Sequence, residues 1–477
     1  METKSLWEKY SASELKKVDA FANEYIDFLS NGKTERECVD QIVNMLDAAG
    51  FMELEAAIRQ GTKLKSGDKL YSVKMNKSVA AFVIGKQPLE AGMNILGAHI
   101  DSPRMDVKQN PLYENTEIAY LDTHYYGGIK KYQWVTIPLA LHGVIVKKDG
   151  ETVEVNIGED ADDPVFFVSD LLIHLASEQM EKKGAKVIEG EALDIIVGNK
   201  PLVIKKSASK AKASDNEKED GSKKEAVKEN FLKLLKDNYG VEEEDFLSAE
   251  LEVVPAGRAR FAGLDKSMIL GYGHDDRVCA FPSLKALLEV ENLERTACCI
   301  LVDKEEIGSV GATGMESHFF ENTVAELIAL TGDYSDLLLR RCLSNSCMLS
   351  SDVNAAYDPT YASAFELRSA SIMGHGMVFN KFTGSRGKSG SNDSNAEYIA
   401  ALRAVLEKEK VDFQFAELGK VDIGGGGTIA YILALYGMNV IDAGVAVLNM
   451  HAPWEAISTA DLYETKRGYV AFLKGMK

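Results

Sequence analysis

Residues 297–309 constrain the fold more than any other stretch. Ile300 to Val302 reads as a buried strand, Glu305 and Glu306 follow it closely, and glycines stand at 308, 311 and 314. A buried strand that runs into paired carboxylates and flexible turns is the pattern of an open α/β sheet, in which ligands gather beyond the carboxyl ends of the strands. Successive residues of an extended segment point to opposite sides. The two glutamates are therefore expected to divide the work, one binding a metal and the other handling a proton. Taken alone, the stretch also reads as a solvated turn with two charges, the usual fate of Glu.

The chain has 477 residues, 45% of them hydrophobic, enough for about two domains. Its formal net charge of −19 argues against nucleic acid and anionic membrane as partners. The six cysteines form no CxxC pair, and Cys298 and Cys299 lie within the apolar strand. That usage fits reduced thiols in the cytoplasm better than a disulfide framework or a thiolate zinc site. The first residues, Met-Glu-Thr-Lys-Ser, carry no apolar signal core. Residues 423–441 are uncharged and nearly long enough to cross a bilayer. They open on four glycines, which are poor in a helix interior, so a loop, a buried helix and a strand are expected there.

Periodicity predicts two helices within residues 1–50, the first capped by Ser11 or Ser13. Strands are expected at 69–75, 78–84 and 93–98, the last running into His99-Ile100-Asp101. The texture then changes. Residues 144–146 and 153–157 flank Asp149-Gly150, a strong hairpin signal, and the region reads as antiparallel and β-rich. Residues 205–229 are Lys, Ser, Ala, Asp and Glu with almost nothing apolar, and are expected to form an exposed, mobile loop. A helix is expected at 231–239 and a strand at 247–255. Helix and strand alternate again from Met268, with single strands at 347–351 and 440–449 and a last helix at 459–473. The expected organisation is one α/β domain in two pieces, 1–103 and 255–477, interrupted by an inserted β-rich domain at 104–254.

Five sites share one grammar, an apolar run ending in a metal-capable side chain: His99, Asp275, Glu306, Asp352 and His451. Strand ends of one sheet converge on one edge. Two imidazoles and three carboxylates suit divalent Zn, Mn or Co. With one carboxylate bridging, each of two ions gains three protein ligands and keeps an open position. Asp101 is placed to accept the His99 ring N–H. Glu305, beside a ligand but facing away from it, is the natural proton shuttle. Singly, each has a plainer reading: Asp275-Asp276-Arg277 as a helix cap with a salt bridge, Asp352 as a turn, either histidine as a packed side chain. The recurrence of all five in both pieces of a split domain favours a metal site.

These motifs resemble the aspartyl aminopeptidase family of dizinc metallopeptidases, most closely its bacterial branch. The resemblance runs through residues 97–103, Tyr126-Gly127-Gly128 with Trp134, residues 274–277 and 303–309, Ser350-Ser351-Asp352, Gly425-Gly426-Gly427-Thr428 and Asn449-Met450-His451. It implies a mixed-sheet, zinc-peptidase-like α/β catalytic domain whose β-rich insertion mediates dimerisation. Asp275 would bridge two metals, His99 and Asp352 would complete one site, and Glu306 and His451 the other. Glu305 would be the general base, Asp101 the orienting acid, and the peptide bond after Asp275 cis. Dimers would assemble into a dodecameric homo-oligomer, with His174 reaching a neighbour's pocket. Lys381 falls near the position where relatives place a lysine for an acidic substrate side chain. Asp276 departs from the family, in which many relatives carry Asn.

The expected function is therefore that of a metalloaminopeptidase removing N-terminal residues from peptides. An amidohydrolase acting on N-acyl amino acids by similar dimetal chemistry is the alternative, and a non-enzymatic shell with a relict site a third reading.

Overall fold

The computed structural model describes residues 4–203 and 225–477. The chain forms two compact units, residues Met1–Pro103 with Arg258–Lys477, and residues Arg104–Gly257.

The first unit is built on a mixed sheet that has nine strands among the described residues. Their order is Met52–Glu53, Lys69–Lys74, Ser78–Val83, Thr296–Val302, Met93–His99, Cys347–Ser350, Asn439–Gly444, Met377–Asn380 and Phe413–Phe415. The four from Thr296–Val302 to Asn439–Gly444 are mutually parallel, with Val302 opposite His99, Gly97 opposite Ser350, and Ser350 opposite Asp442. Parallel strands are covered on both faces, and the side chains divide by period two. Leu96, Ala98, Cys299 and Leu301 pack on one side with Phe28, Phe281 and Phe472. Ile95, Cys298, Ile300 and Val302 pack on the other with Phe320, Val324 and Leu433. Ser11 caps the helix Ala12–Asn31 and Thr34 the helix Glu35–Ala48, each in a reciprocal capping box with a glutamate three residues on.

A second sheet of this unit runs Arg260–Ala262, Met268–Gly271, Glu455–Ser458, Ala446–Leu448 and Asn354–Ala355. The single strand expected at 440–449 is thus two strands in two sheets. The chain leaves the large sheet at Gly444, where a Cβ would stand 1.9 Å from the Asp352 carbonyl oxygen. Only glycine permits that approach, and a hydrophobicity pattern does not register it. Residues 423–441 form no single apolar helix. The short helix Ala430–Ala434 leads into the strand Asn439–Gly444. Among the described residues, no helix is long and apolar enough to cross a membrane.

The second unit carries an antiparallel sheet, ordered Thr152–Ile157, Leu139–Val146, Ala249–Pro255, Arg104–Asn115, Ile118–Tyr126 and Ile195–Gly198. The mobile loop expected at 205–229 falls largely on residues 204–224, outside the described residues. Its last residues are helical, because a helix spans Ala226–Tyr239. It starts before the expected Phe231 for a tertiary reason: the Glu114 carboxylate accepts the Val227 and Lys228 backbone N–H groups at 2.9 and 3.0 Å. Those first-turn amides have no partner within the helix, and a cap from a distant strand leaves no local sequence mark.

Gly444→Ala is expected to destabilise the chain by about 1–3 kcal/mol, the usual cost of forcing atoms into packed space. Gly427→Ala, where a Cβ meets nothing within 4 Å, should leave stability unchanged. Urea denaturation of the two variants checks the contrast.

Candidate metal centre

All the residues of the five-fold pattern belong to the first unit, and they reach the site from both of its sheets. His99 ends a central strand, Glu305 and Glu306 follow its parallel neighbour, and Asp352 follows Cys347–Ser350. Asp275 lies just past Met268–Gly271, and His451 in the loop between Ala446–Leu448 and Glu455–Ser458.

Donor atoms of His99, Asp275 and Glu306 lie within 4.8 Å of one another, as do those of His99, Asp276 and Asp352. The two oxygens of Asp275 face different histidines, Oδ1 at 3.2 Å from His99 Nε2 and Oδ2 at 3.2 Å from His451 Nε2. His451 Nε2 is also 3.4 Å from Glu306 Oε1. Glu305 Oε2 stands 3.9 Å from His99 Nε2 without joining either triad. The glutamate pair is not extended, as the alternation argument assumed, but lies in a 3-10 turn, Glu305–Ile307. The turn separates the two side chains by rotation about its axis, so they diverge for a different reason.

Asp101 does more than its spacing suggested. Its Oδ1 lies 3.2 Å from His99 Nδ1, and its backbone oxygen 3.0 Å from the same nitrogen. Its two carboxylate oxygens also accept the backbone N–H groups of Glu305 and Glu306, each at 3.2 Å. Glu455, which sequence reasoning missed, makes a matching pair of bonds. Its Oε2 accepts the Asp275 N–H at 3.0 Å and its Oε1 the His451 N–H at 2.7 Å. The only local signal is a carboxylate four residues after His451. Asp276 was also missed as part of the cluster. It accepts the His99 N–H at 3.3 Å, and its Oδ1 is buried without a hydrogen-bond partner. Asp275 and Asp276 have non-helical backbone angles at the start of the helix His274–Glu289. Arg277 is buried, donating to the carbonyls of Ile100 and Lys33 at 3.2 and 2.9 Å. The peptide bond between Asp275 and Asp276 is cis.

Electrostatics favour a cation. Burial, reinforced by neighbouring carboxylates, drives Glu306, Asp352 and Asp276 well above their usual range and pushes Glu305 up to about 7. Burial likewise lifts Glu455 to about 8. Burial alone would lower His99, but hydrogen bonds to Asp101 and Asp275 raise it well above its ordinary value. Carboxyls that raise one another mark a pocket short of positive charge, which a divalent ion supplies. The donor set of imidazole and carboxylate fits zinc, and the unpartnered oxygen of Asp276 agrees.

The two predicted substrate residues are not in this cluster of donors. Lys381 is half-exposed, its Nζ 4.0 Å from Asp393 Oδ1. His174 belongs to the second unit, on the exposed turn Ile173–Leu175, and lines a cavity of about 840 Å³ with Asp170, Glu178 and Lys182.

Known proteins resemble this chain over nearly its whole length. The family model described as "Aminopeptidase I zinc metalloprotease (M18)" matches residues 28–473. A probable M18 family aminopeptidase 1 of Clostridium acetobutylicum is 59% identical over 99% of this chain and 98% of its own length. The crystal structure of an M18 family aminopeptidase from Thermotoga maritima superposes with a TM-score of 0.91 at 43% identity, covering 100% of both chains. The S. cerevisiae mApe1 dodecamer shares the fold, with a TM-score of 0.73 at 20% identity over 95% of this chain and 96% of that one.

The raised carboxyls set a pH-dependent response to metal. Above the unfolded values, 4.5 for glutamate and 3.8 for aspartate, ionising Glu305, Glu306 and Asp352 costs the ion-free fold stability, a cost complete only above their folded values, about 7 for Glu305. His99 acts in the same direction, since its stabilising charge is lost as pH rises. The difference in melting temperature between zinc-loaded and chelated protein should therefore widen from pH 5 to pH 8. A difference independent of pH would contradict the assignment.

Proposed function

Because the chain belongs to the M18 family of zinc metalloproteases and is a metal-dependent aminopeptidase, we propose that its catalytic centre is the buried cluster around Asp275. The observation that carries this reading is the facing of the two Asp275 oxygens toward different histidines, each at 3.2 Å. A carboxylate so placed suits two ions per chain, His99 and Asp352 completing one set and Glu306 and His451 the other. Zinc bound there would supply Lewis acidity toward the scissile carbonyl and the attacking water; manganese or cobalt suits the same donors.

The chain's own residues supply the rest. Glu305 takes a proton from the attacking water and delivers it to the leaving amine. Burial holds its carboxyl near 7, and a general base works best with its pKa close to the working pH. Asp101 fixes the His99 ring through Nδ1, leaving Nε2 for a metal, and keeps the Glu305–Glu306 turn in place. Glu305→Gln should retain zinc and lose at least about 100-fold in kcat, the low end for a general base. Near-normal turnover would remove Glu305 from the mechanism. A peptide with a free N-terminus should be cleaved and its acetylated twin spared; preference for the blocked form would point to N-acyl amino acid hydrolysis.

Four finer assignments follow the resemblance. Lys381 would meet an acidic substrate side chain. The insertion would mediate dimers within a dodecamer, and in it Leu172, Ile173, Leu175 and Met180 are exposed apolar side chains. His174 would reach a neighbour's pocket from that same turn. A cytoplasmic location suits six buried, unpaired cysteines. On Asp-, Glu-, Leu- and Met-nitroanilides, Lys381→Met should lower the preference for Asp over Leu, and an unchanged ratio would exclude it as the determinant. Sedimentation should return twelve copies, with His174→Ala slower in turnover only within that assembly; a monomer would exclude both. Cell fractionation checks the compartment.

A further inference from the structure

Glu455 lies outside both donor triads, yet it touches the backbone of two residues that enter the site. It is buried, 1% exposed. It opens the strand Glu455–Ser458, where it pairs with Gly271 of Met268–Gly271. The strand pairing places it between the loop that ends at Asp275 and the loop that carries His451. One carboxylate oxygen accepts the Asp275 N–H and the other the His451 N–H, at 3.0 and 2.7 Å.

His451 needs such a hold. Its φ is 64°, in the left-handed region that residues other than glycine occupy uncommonly, and Asn449 two residues earlier has a φ of 62°. No glycine stands at either position, so the left-handed turn benefits from contacts outside the loop. An acceptor for the His451 N–H stabilises it. The same side chain fixes Asp275 relative to it, so the 3.2 Å approach of Asp275 Oδ2 to His451 Nε2 is set from behind, through two main-chain amides.

We infer that Glu455 is a positioning residue of the metal centre, a carboxylate clamp that sets the spacing of Asp275 and His451 by holding both backbones. The inference rests on the proposed assignment of those two residues as ligands. Glutamine in its place keeps the shape but has a single acceptor oxygen, so one of the two amides loses its partner. Partners that orient metal ligands typically contribute 10–100-fold to metal affinity.

The test is zinc affinity measured by competition with a chromophoric chelator, for wild type, Glu455→Gln and His451→Ala, with the melting temperature of each chelated protein recorded alongside. Glu455→Gln is expected to bind zinc about 10–100-fold more weakly while its chelated form melts close to wild type. Wild-type affinity with a lowered melting temperature would make Glu455 a packing residue and overturn the inference. His451→Ala is expected to lose one zinc. Wild-type binding there would instead remove the ligand assignment, and the clamp with it. Should Glu455→Gln fail to fold, amide exchange on the unaltered, chelated chain decides: a protected His451 amide supports the clamp, and free exchange overturns it.

Discussion

A crowd of carboxylates is held out of water at one edge of the first unit, and the rest of that unit is arranged to tolerate it. Asp101, Asp275, Asp276, Glu305, Glu306 and Asp352 are all largely buried around His99. Like charges in a low-dielectric site repel strongly. They persist here because backbone amides meet some of them and because divalent cations suit the remainder. Asp101 and Glu455 take the amides: between them they accept the main-chain N–H groups of Glu305, Glu306, Asp275 and His451. Asp101 and Glu455 thus act as struts, and donor atoms of Asp275, Asp276, Glu306 and Asp352 gather at one point beside His99.

The sheets explain why that point exists. Parallel central strands bring His99, Glu305, Glu306 and Asp352 to one edge, while the smaller sheet delivers Asp275 and His451. The hinge between them is the departure of the chain at Gly444, close against the carbonyl of Asp352. The proposed metal centre therefore lies at a junction of two sheets, with Glu455 on the strand Glu455–Ser458 that follows the His451 loop and pairs with Met268–Gly271.

The adjacent glutamates diverge, but not by the geometry that their spacing predicts. Alternation along an extended strand predicts that they diverge. They diverge on a tight 3-10 turn, entered through Lys304 at a φ of 71°. Glu306 turns to His451 and Glu305 remains beside His99. The turn is held by Asp101, a residue more than two hundred positions earlier in the chain.

Chain sequence by itself marked the strand ends, because apolar runs followed by His, Asp or Glu are local features that burial and chemistry both require. It also marked a serine cap, Ser11 or Ser13, for the first helix and the hairpin at Asp149-Gly150, which depend on residues a few positions apart. Tertiary structure alone decided that residues 439–448 serve two sheets, that Glu114 starts the helix Ala226–Tyr239, and that Asp276 and Glu455 bond to the backbones of His99 and Asp275. Each of these rests on a hydrogen bond or a close backbone approach between distant segments. Periodicity and propensity record only what a residue's near neighbours demand, so such contacts leave no trace until the chain has folded.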